Sequence, residues 1–249
     1  MTTIKGKIKK LIERLTHLHI YKVLPHGTDV LYDIKMLLPR YIPEVIFDVG
    51  ADIGQSTRQY VNWFPQSQIY CFEPISQTFV ELKRNVKSFS NVHCLKLALG
   101  SSKSRGYMYG GACSSMYSLN PRADDISRAN LNVESVEIDT LDEFCHRQKI
   151  IKLSFLKVDT EGHDLEVLRG AEEMLSRQTI DIVQVEAGMN PKNQKFVAFE
   201  EFKVYLENKG YFLFGIYEQV NEHFTGKVLL RRTNPVFISE CIINIYKRD

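Results

Sequence analysis

The chain has 249 residues, of which 44% are hydrophobic and 25% charged, with 32 basic side chains against 30 acidic ones. That length supports one sizeable core or a core with an appendage, and a net charge of +2 exerts no overall pull toward nucleic acid, so no nucleic-acid partner is expected. No run approaches eighteen apolar residues, which excludes a membrane-spanning helix, and Cys71, Cys94, Cys113, Cys145 and Cys241 are dispersed with no C-x-x-C pair, which reads as reduced thiols of a cytoplasmic protein.

The N-terminal stretch "IKGKIKKLIERLTHLHI" is basic and amphipathic, and it lacks the apolar core and cleavage site of a signal peptide. Ile4, Ile8, Leu11, Ile12 and Leu15 share a helical face, while Lys5, Lys7, Lys9, Lys10 and Arg14 mostly point elsewhere. Three readings stand: a solvated helix capping the domain, which is the expected one, a foot on anionic lipid or membrane-bound substrate, and a transit peptide. Residues 1–40 are accordingly set apart as an N-terminal helical extension from a domain spanning 41–249.

From about residue 41, strand and helix patterns alternate. "EVIFDVG" is an apolar run of strand length, followed by a helix from about Ser56 to Trp63 that Pro65 closes. "QIYCFEP" repeats the design, and "SQTFVELKRNVKSF" gives a helix with Ser76 as its expected N-cap. "NVHCLKLAL" is the third strand; "LSFLKVD" and "IDIVQVEAG" are two more, separated by a helix that breaks near Gly170. Thr140 and Glu143 form the T-x-x-E capping box of a helix before "LSFLKVD". A helix ending at Gly210, an aromatic strand and a tail hairpin follow, with Pro235 expected outside a central strand position. This alternation implies an α/β fold with a mainly parallel sheet. Residues 100–132 break the rhythm: they are polar, glycine-rich and too long for an ordinary loop, and read as a lid, with Tyr107, Tyr109 and Tyr117 as order-bearing residues and Ser114 and Ser115 either over the acceptor or in a plain turn.

Four strand-like runs end in acids: Asp48, Glu73, Asp159 and Glu186. In open α/β sheets, ligands bind beyond the carboxyl ends of the strands, so four such carboxylates facing one crevice constitute a site. The first run continues into G-A-D-I-G, with Asp52 where a dinucleotide fingerprint needs its middle glycine. A carboxylate there repels a pyrophosphate, and no lysine follows the second glycine, so neither NAD nor a P-loop nucleotide suits the turn. S-adenosylmethionine, with a positive centre and no phosphate, does. Asp48 and Asp52 can face its ammonium side, Gly50 and Gly54 leave room for the nucleoside, and Gln55, Ser56 and Thr57 offer donors to its carboxylate. Glu73, 19 residues past Gly54, can accept both ribose hydroxyls.

Together, "VIFDVGADIGQST", "IYCFEP", "VEIDTLDEF" and "LSFLKVDTEGHDLEVLRGA" resemble the FkbM family of S-adenosylmethionine-dependent methyltransferases over residues 44 to 188. The resemblance implies a Rossmann-like class I methyltransferase fold, with a mainly parallel seven-stranded sheet and helices on both faces, and O-methylation of a hydroxyl on a sugar, glycolipid or secondary metabolite. It makes Asp48, Gly50 and Gly54 the cofactor loop and Glu73 the ribose acid. The cofactor-binding set expected is therefore Asp48, Gly50, Ala51, Asp52, Gly54, Ser56, Thr57, Glu73, Pro74 and Ala98. Family members often carry Asn where this chain has Asp52.

Methyl transfer to oxygen is an in-line displacement that needs alignment and a base for the hydroxyl proton. "KVDTEGHDLEVL" supplies Asp159, Glu161 and His163 around one strand end, with His163, which titrates nearest neutral pH, either the base or a helix-start residue that caps or packs; Glu186 is a further wall or base, or else the partner of a buried base such as Lys157. Asp159 and Glu161 could ligate a divalent metal, but two ligands are sparse and no metal is expected. A small-molecule or glycan acceptor is the expected partner. The alternatives are a nucleotide-dependent reductase on a Rossmann fold and a module that binds cofactor without turnover. His17, His19, His26, His93, His146 and His223 show no ligand spacing.

Overall fold

The computed structural model describes residues 4–110, 132–193, 195–222 and 228–246. Tyr117, Ser114, Ser115, Cys113 and His223 lie outside them.

The apolar runs form the parallel part of one sheet. Strand β1 (Val45–Val49) is flanked by β2 (Gln68–Phe72) and β7 (Leu153–Val158); β3 (Val92–Leu95) lies outside β2, and β8 (Ile180–Val185) outside β7. All four of these pairings are parallel. Antiparallel β11 (Leu230–Ser239) and then β10 (Tyr211–Asn221) complete the order β10-β11-β8-β7-β1-β2-β3, and the two-residue β9 (Ala187–Gly188) sits beside β11. This is the expected α/β, Rossmann-like class I methyltransferase fold: seven strands on the main path, with β9 as an addition. Strand order reverses at β1, so the crevice beyond β1 and β7 is where such a sheet takes a ligand.

Helices cover both faces because alternate strand residues bury on opposite sides. Ile46, Ile69, Phe155 and Ile182 pack under α2 (Val30–Leu37), α3 (Gln55–Trp63), α4 (Ser76–Val86) and the C-terminal α9 (Glu240–Ile245). Phe47, Phe72, Leu156 and Val183 pack under α5 (Leu141–Gln148), α6 (Asp164–Arg169), α7 (Glu172–Ser176) and α8 (Phe199–Glu207). The core thus includes α2, through Leu31 and Ile34. The preceding α1 (Ile4–Thr16) has no buried residue from Ile8 onward, so it does not cap the domain.

A second small sheet joins β4 (Ala98–Leu99), β6 (Asn132–Asp139) and β5 (Ser104–Gly110), in the order β4-β6-β5. The two ends of the segment read as a lid are therefore an antiparallel hairpin, Ser104 against Ile138 through Gly110 against Asn132.

Two local expectations differ. Ser76 is the first residue of α4 and not its cap: its N–H donates to Glu134 at 3.1 Å and its hydroxyl also bonds Glu134, an acid 58 residues away on β6. Pro235 lies in β11, an interior strand. It lies opposite Ile216 of β10, and on the other side it falls in a gap, since the ladder to β8 ends at Val236 and the ladder to β9 begins at Thr233. The Thr140 cap does form: its hydroxyl accepts from the Glu143 N–H at 3.2 Å.

Candidate active site

Register decides which strand-end residues meet. Val49 is level with Phe72 on one side and with Val158 on the other, so Gly50, Glu73 and Asp159 leave the sheet together. Val158 is level with Val185, which brings Glu186 to the same edge.

The turn after β1 is forced by close approach. A Cβ on Gly50 would lie 1.9 Å from the Asp159 carbonyl oxygen, and Gly50 has φ +78°. Asp52 adopts φ +49°, which Asp tolerates better than most residues. Its N–H donates to Glu73 Oε2 at 3.2 Å, while the Ile75 N–H donates to Glu73 Oε1 at 2.9 Å. Glu73 is thus fixed at the rim, each oxygen accepting one bond from the described residues and able to accept another. Burial, reinforced by Asp52 and Asp48, lifts its carboxyl to about 7.

The cavity in this crevice is lined by Gly50, Asp52, Glu73, Pro74 and Ala98 of the expected cofactor set and by Asp159, Glu161 and His163 of the expected chemical set. Met108 of β5 and apolar Leu97, Leu99, Val49 and Phe72 complete much of the wall. Asp48, Ala51, Gly54, Ser56, Thr57 and Glu186 are not in the lining. Asp48 is wholly buried behind it, accepting from the Thr57 hydroxyl at 2.7 Å and pairing with Lys157 Nζ at 3.3 Å. Lys157 also lies 3.3 Å from Asp159 Oδ2. Burial alone would discharge a lysine; here Asp48 and Asp159 outweigh it and hold the Lys157 ammonium well above its ordinary value.

The turn "DTEGHD" between β7 and α6 is held by Asp164, a residue that sequence reasoning passed over. Asp164 is fully buried; its Oδ2 accepts from Thr160 N–H, Thr160 hydroxyl and Gly162 N–H at 3.0–3.3 Å, and its Oδ1 from Glu186 N–H at 3.3 Å. Burial first, then repulsion from Asp159, raises it to about 7. This one carboxylate ties the ends of β7 and β8 together and allows the left-handed conformations of Glu161 (φ +55°) and Gly162 (φ +100°). His163 follows, half-buried, with Nδ1 lacking a hydrogen-bond partner among the described residues. Burial lowers its pKa below the usual 6.5, so the imidazole is neutral near pH 7.

One carboxylate oxygen each of Asp159, Glu161 and Glu186 lies within 4.8 Å of the others, a set able to ligate a metal ion. Each acid also has a cation beside it: Lys157, shared with Asp48, for Asp159, Lys195 at 2.5 Å for Glu161, and Arg232 at 2.6 Å for Glu186. Glu186 therefore pairs with Arg232, not Lys157. Burial lifts Glu186 to about 9, aided by Asp159 and opposed by Arg232.

Residues 48–213 match the methyltransferase FkbM domain. The chain belongs to the FkbM methyltransferase family. Among curated relatives, hexuronic acid methyltransferase AglP of Haloferax volcanii is 30% identical over 152 residues, 60% of this chain and 59% of that protein. The 2-O-methyltransferase NoeI of Sinorhizobium fredii is 20% identical over 144 residues, 53% of this chain and 59% of that one. The chain thus spans 59% of the length of each of these two relatives. A solved rRNA methylase from Streptococcus thermophilus aligns over 85% of this chain and 97% of that one, at 8% identity and a TM-score of 0.48, a likeness too slight to bear on function. The match to the FkbM domain begins at Asp48 and takes in the turn after β1, Glu73 and the whole "DTEGHD" turn, so every cavity acid named above lies inside it.

Proposed function

We propose that this FkbM-family chain is an S-adenosylmethionine-dependent O-methyltransferase that methylates a hydroxyl of a sugar, glycolipid or secondary metabolite and works in the cytoplasm. The observation that carries the reading is the charge of the cavity wall. Asp52, Glu73, Asp159 and Glu161 line it; the lysines paired with Asp159 and Glu161 lie outside the lining, and among the described residues no lysine or arginine is in it. Such a wall repels a pyrophosphate and suits a cofactor with cationic sulfonium and ammonium groups. The same feature counts against the dinucleotide-dependent reductase. The cradle also fits: Gly50 has no room for a side chain, and each Glu73 oxygen is able to accept another bond, from a ribose diol.

Bound there, S-adenosylmethionine supplies an activated methyl group. The chain's own part is to position and to take a proton. Glu73 holds the ribose end, and Asp48, through Lys157 and Thr57, stiffens the strand tips from behind the wall. His163 is the group to receive the acceptor's hydroxyl proton: its ring lines the cavity and is neutral. Asp159, Glu161 and Glu186 form the acceptor wall, where carboxylates can accept from sugar hydroxyls. The sugar assignment is supported by the names of the hexuronic acid methyltransferase and the 2-O-methyltransferase among the relatives. The reducing compartment is supported by Cys71, Cys94, Cys145 and Cys241, all free thiols.

The test is transfer of labelled methyl from S-adenosylmethionine to uronic acids, neutral sugars and glycolipids. Label fixed on an acceptor oxygen supports the proposal; cofactor binding with no transfer to any hydroxyl-bearing acceptor overturns it.

A further inference from the structure

The amphipathic helices of the domain bury their apolar stripes: Leu31 and Ile34 of α2, Leu82 and Val86 of α4, Phe202 and Leu206 of α8. The first helix does the opposite. Ile8, Leu11, Ile12 and Leu15 are all exposed, Leu15 at 72%. The chain beyond it continues the pattern, with Leu18, Ile20, Tyr21, Val23 and Leu24 also exposed, and no residue from Ile8 to His26 is buried. Helix and following segment are tied together, because the Ile20 N–H donates to Glu13 Oε1 at 2.9 Å. Nine large apolar side chains on one such unit make a surface that a soluble monomer does not normally leave bare.

Charge identifies what covers it. Residues 4–24 carry Lys5, Lys7, Lys9, Lys10, Arg14 and Lys22 against a single acid, Glu13, which is already engaged by Ile20 and by Lys9 at 3.6 Å. A second copy seated on this face would bring two sets of uncompensated lysines together, which like-charge repulsion opposes. A bilayer with anionic headgroups accommodates both properties at once: the apolar stripe enters the acyl boundary and the basic side chains meet the headgroups. We propose that residues 8–24, led by the apolar face of α1, dock this protein on an anionic membrane surface. The helix is far too short to cross one, and among the described residues no helix is long and apolar enough to do so. The docking stands independently of what the cavity binds.

The experiment is co-sedimentation of the full chain with vesicles of phosphatidylcholine alone and with vesicles that also contain phosphatidylserine, at about 0.15 M salt and at about 1 M, with light scattering of the free protein alongside. Expected is binding to the phosphatidylserine vesicles only, weakened at high salt. Leu11→Asp with Leu15→Asp should abolish it. Lys9→Gln, Lys10→Gln and Arg14→Gln together should weaken it about 100-fold, from roughly 1 kcal/mol per basic residue. These side chains are exposed, so the variants should melt as the parent does. Absence of binding, or equal binding to both vesicle types, overturns the proposal. So does a dimer in solution that Leu11→Asp with Leu15→Asp converts to monomer without any vesicle binding, which would assign the face to a second copy.

Discussion

At the scale of single residues, the proposed chemistry rests on His163. Its neighbours on the wall are acids, yet burial dominates and keeps the ring neutral. A base must be unprotonated to act, so activity falls as pH drops through the His163 pKa, and that limb should lie below the ordinary 6.5. Replacing His163 by Ala should lower kcat about 100-fold or more while cofactor affinity changes little; steady-state kinetics beside binding isotherms would show it, and unchanged kcat would remove His163 from the role. Much of this site was legible in the chain. Gly50, Asp52, Glu73, Asp159, Glu161 and His163 all line the cavity, because strand tips and glycine turns announce themselves locally. Asp48 was misread as a ligand-facing group: alternation along a strand turns every second side chain inward, and Asp48 shares its face with buried Ile46, not with cavity-lining Val49. The pairing of Glu186 with Arg232 was illegible, since it depends on how β11 registers against its neighbours, 46 positions farther along the chain than residue 186.

At the scale of elements, the turn from β7 to α6 is the organising piece, and Asp164 is its pin. A sign follows from its titration. The folded pKa of about 7 lies above the ordinary 3.8, so the stability that Asp164 contributes is complete below about 3.8 and is lost as pH rises through about 7. Asp164→Asn cannot satisfy all four donors and has no such titration. It should therefore be less stable than the parent by about 1–3 kcal/mol at pH 5, with the gap narrowing toward pH 8. Denaturant unfolding at several pH values measures this, and a gap independent of pH would contradict the account. The signal for Asp164 was present in the sequence, as an acid four residues after Thr160 and two after a glycine, but only the folded turn shows the hydroxyl and both amides converging on it. Ser76 illustrates the converse. Its sequence context suits a cap, and a carboxylate from the distant β6 claimed its N–H instead.

At the scale of the whole molecule, alternating runs specified a parallel sheet, and reversal of strand order at β1 placed the crevice. The long polar segment is framed by the β5–β6 hairpin, whose Met108 reaches the cavity wall. The N-terminal extension splits in two: α2 belongs to the core, and α1 with its following segment stands apart as a basic, apolar-faced arm. Amphipathic periodicity predicted α1 without saying whether it would find a core to bury in, because that depends on what lies opposite, and α2 was covered only by the general reading of residues 1–40 as a helical extension. The central claim is that the acid-lined crevice binds S-adenosylmethionine. Titration calorimetry tests it most directly, with S-adenosylmethionine, its demethylated product and NADH as ligands, across pH 6 to 8 and with Glu73→Gln beside the parent. In the proposed complex ionised Glu73 accepts from both ribose hydroxyls, and its pKa of about 7 means that affinity should tighten as pH rises through that value. The account predicts binding of the first two ligands and not of NADH, with affinity about tenfold weaker and nearly independent of pH in Glu73→Gln. Failure of the parent to bind either sulfur ligand, or binding of NADH in their place, would contradict it.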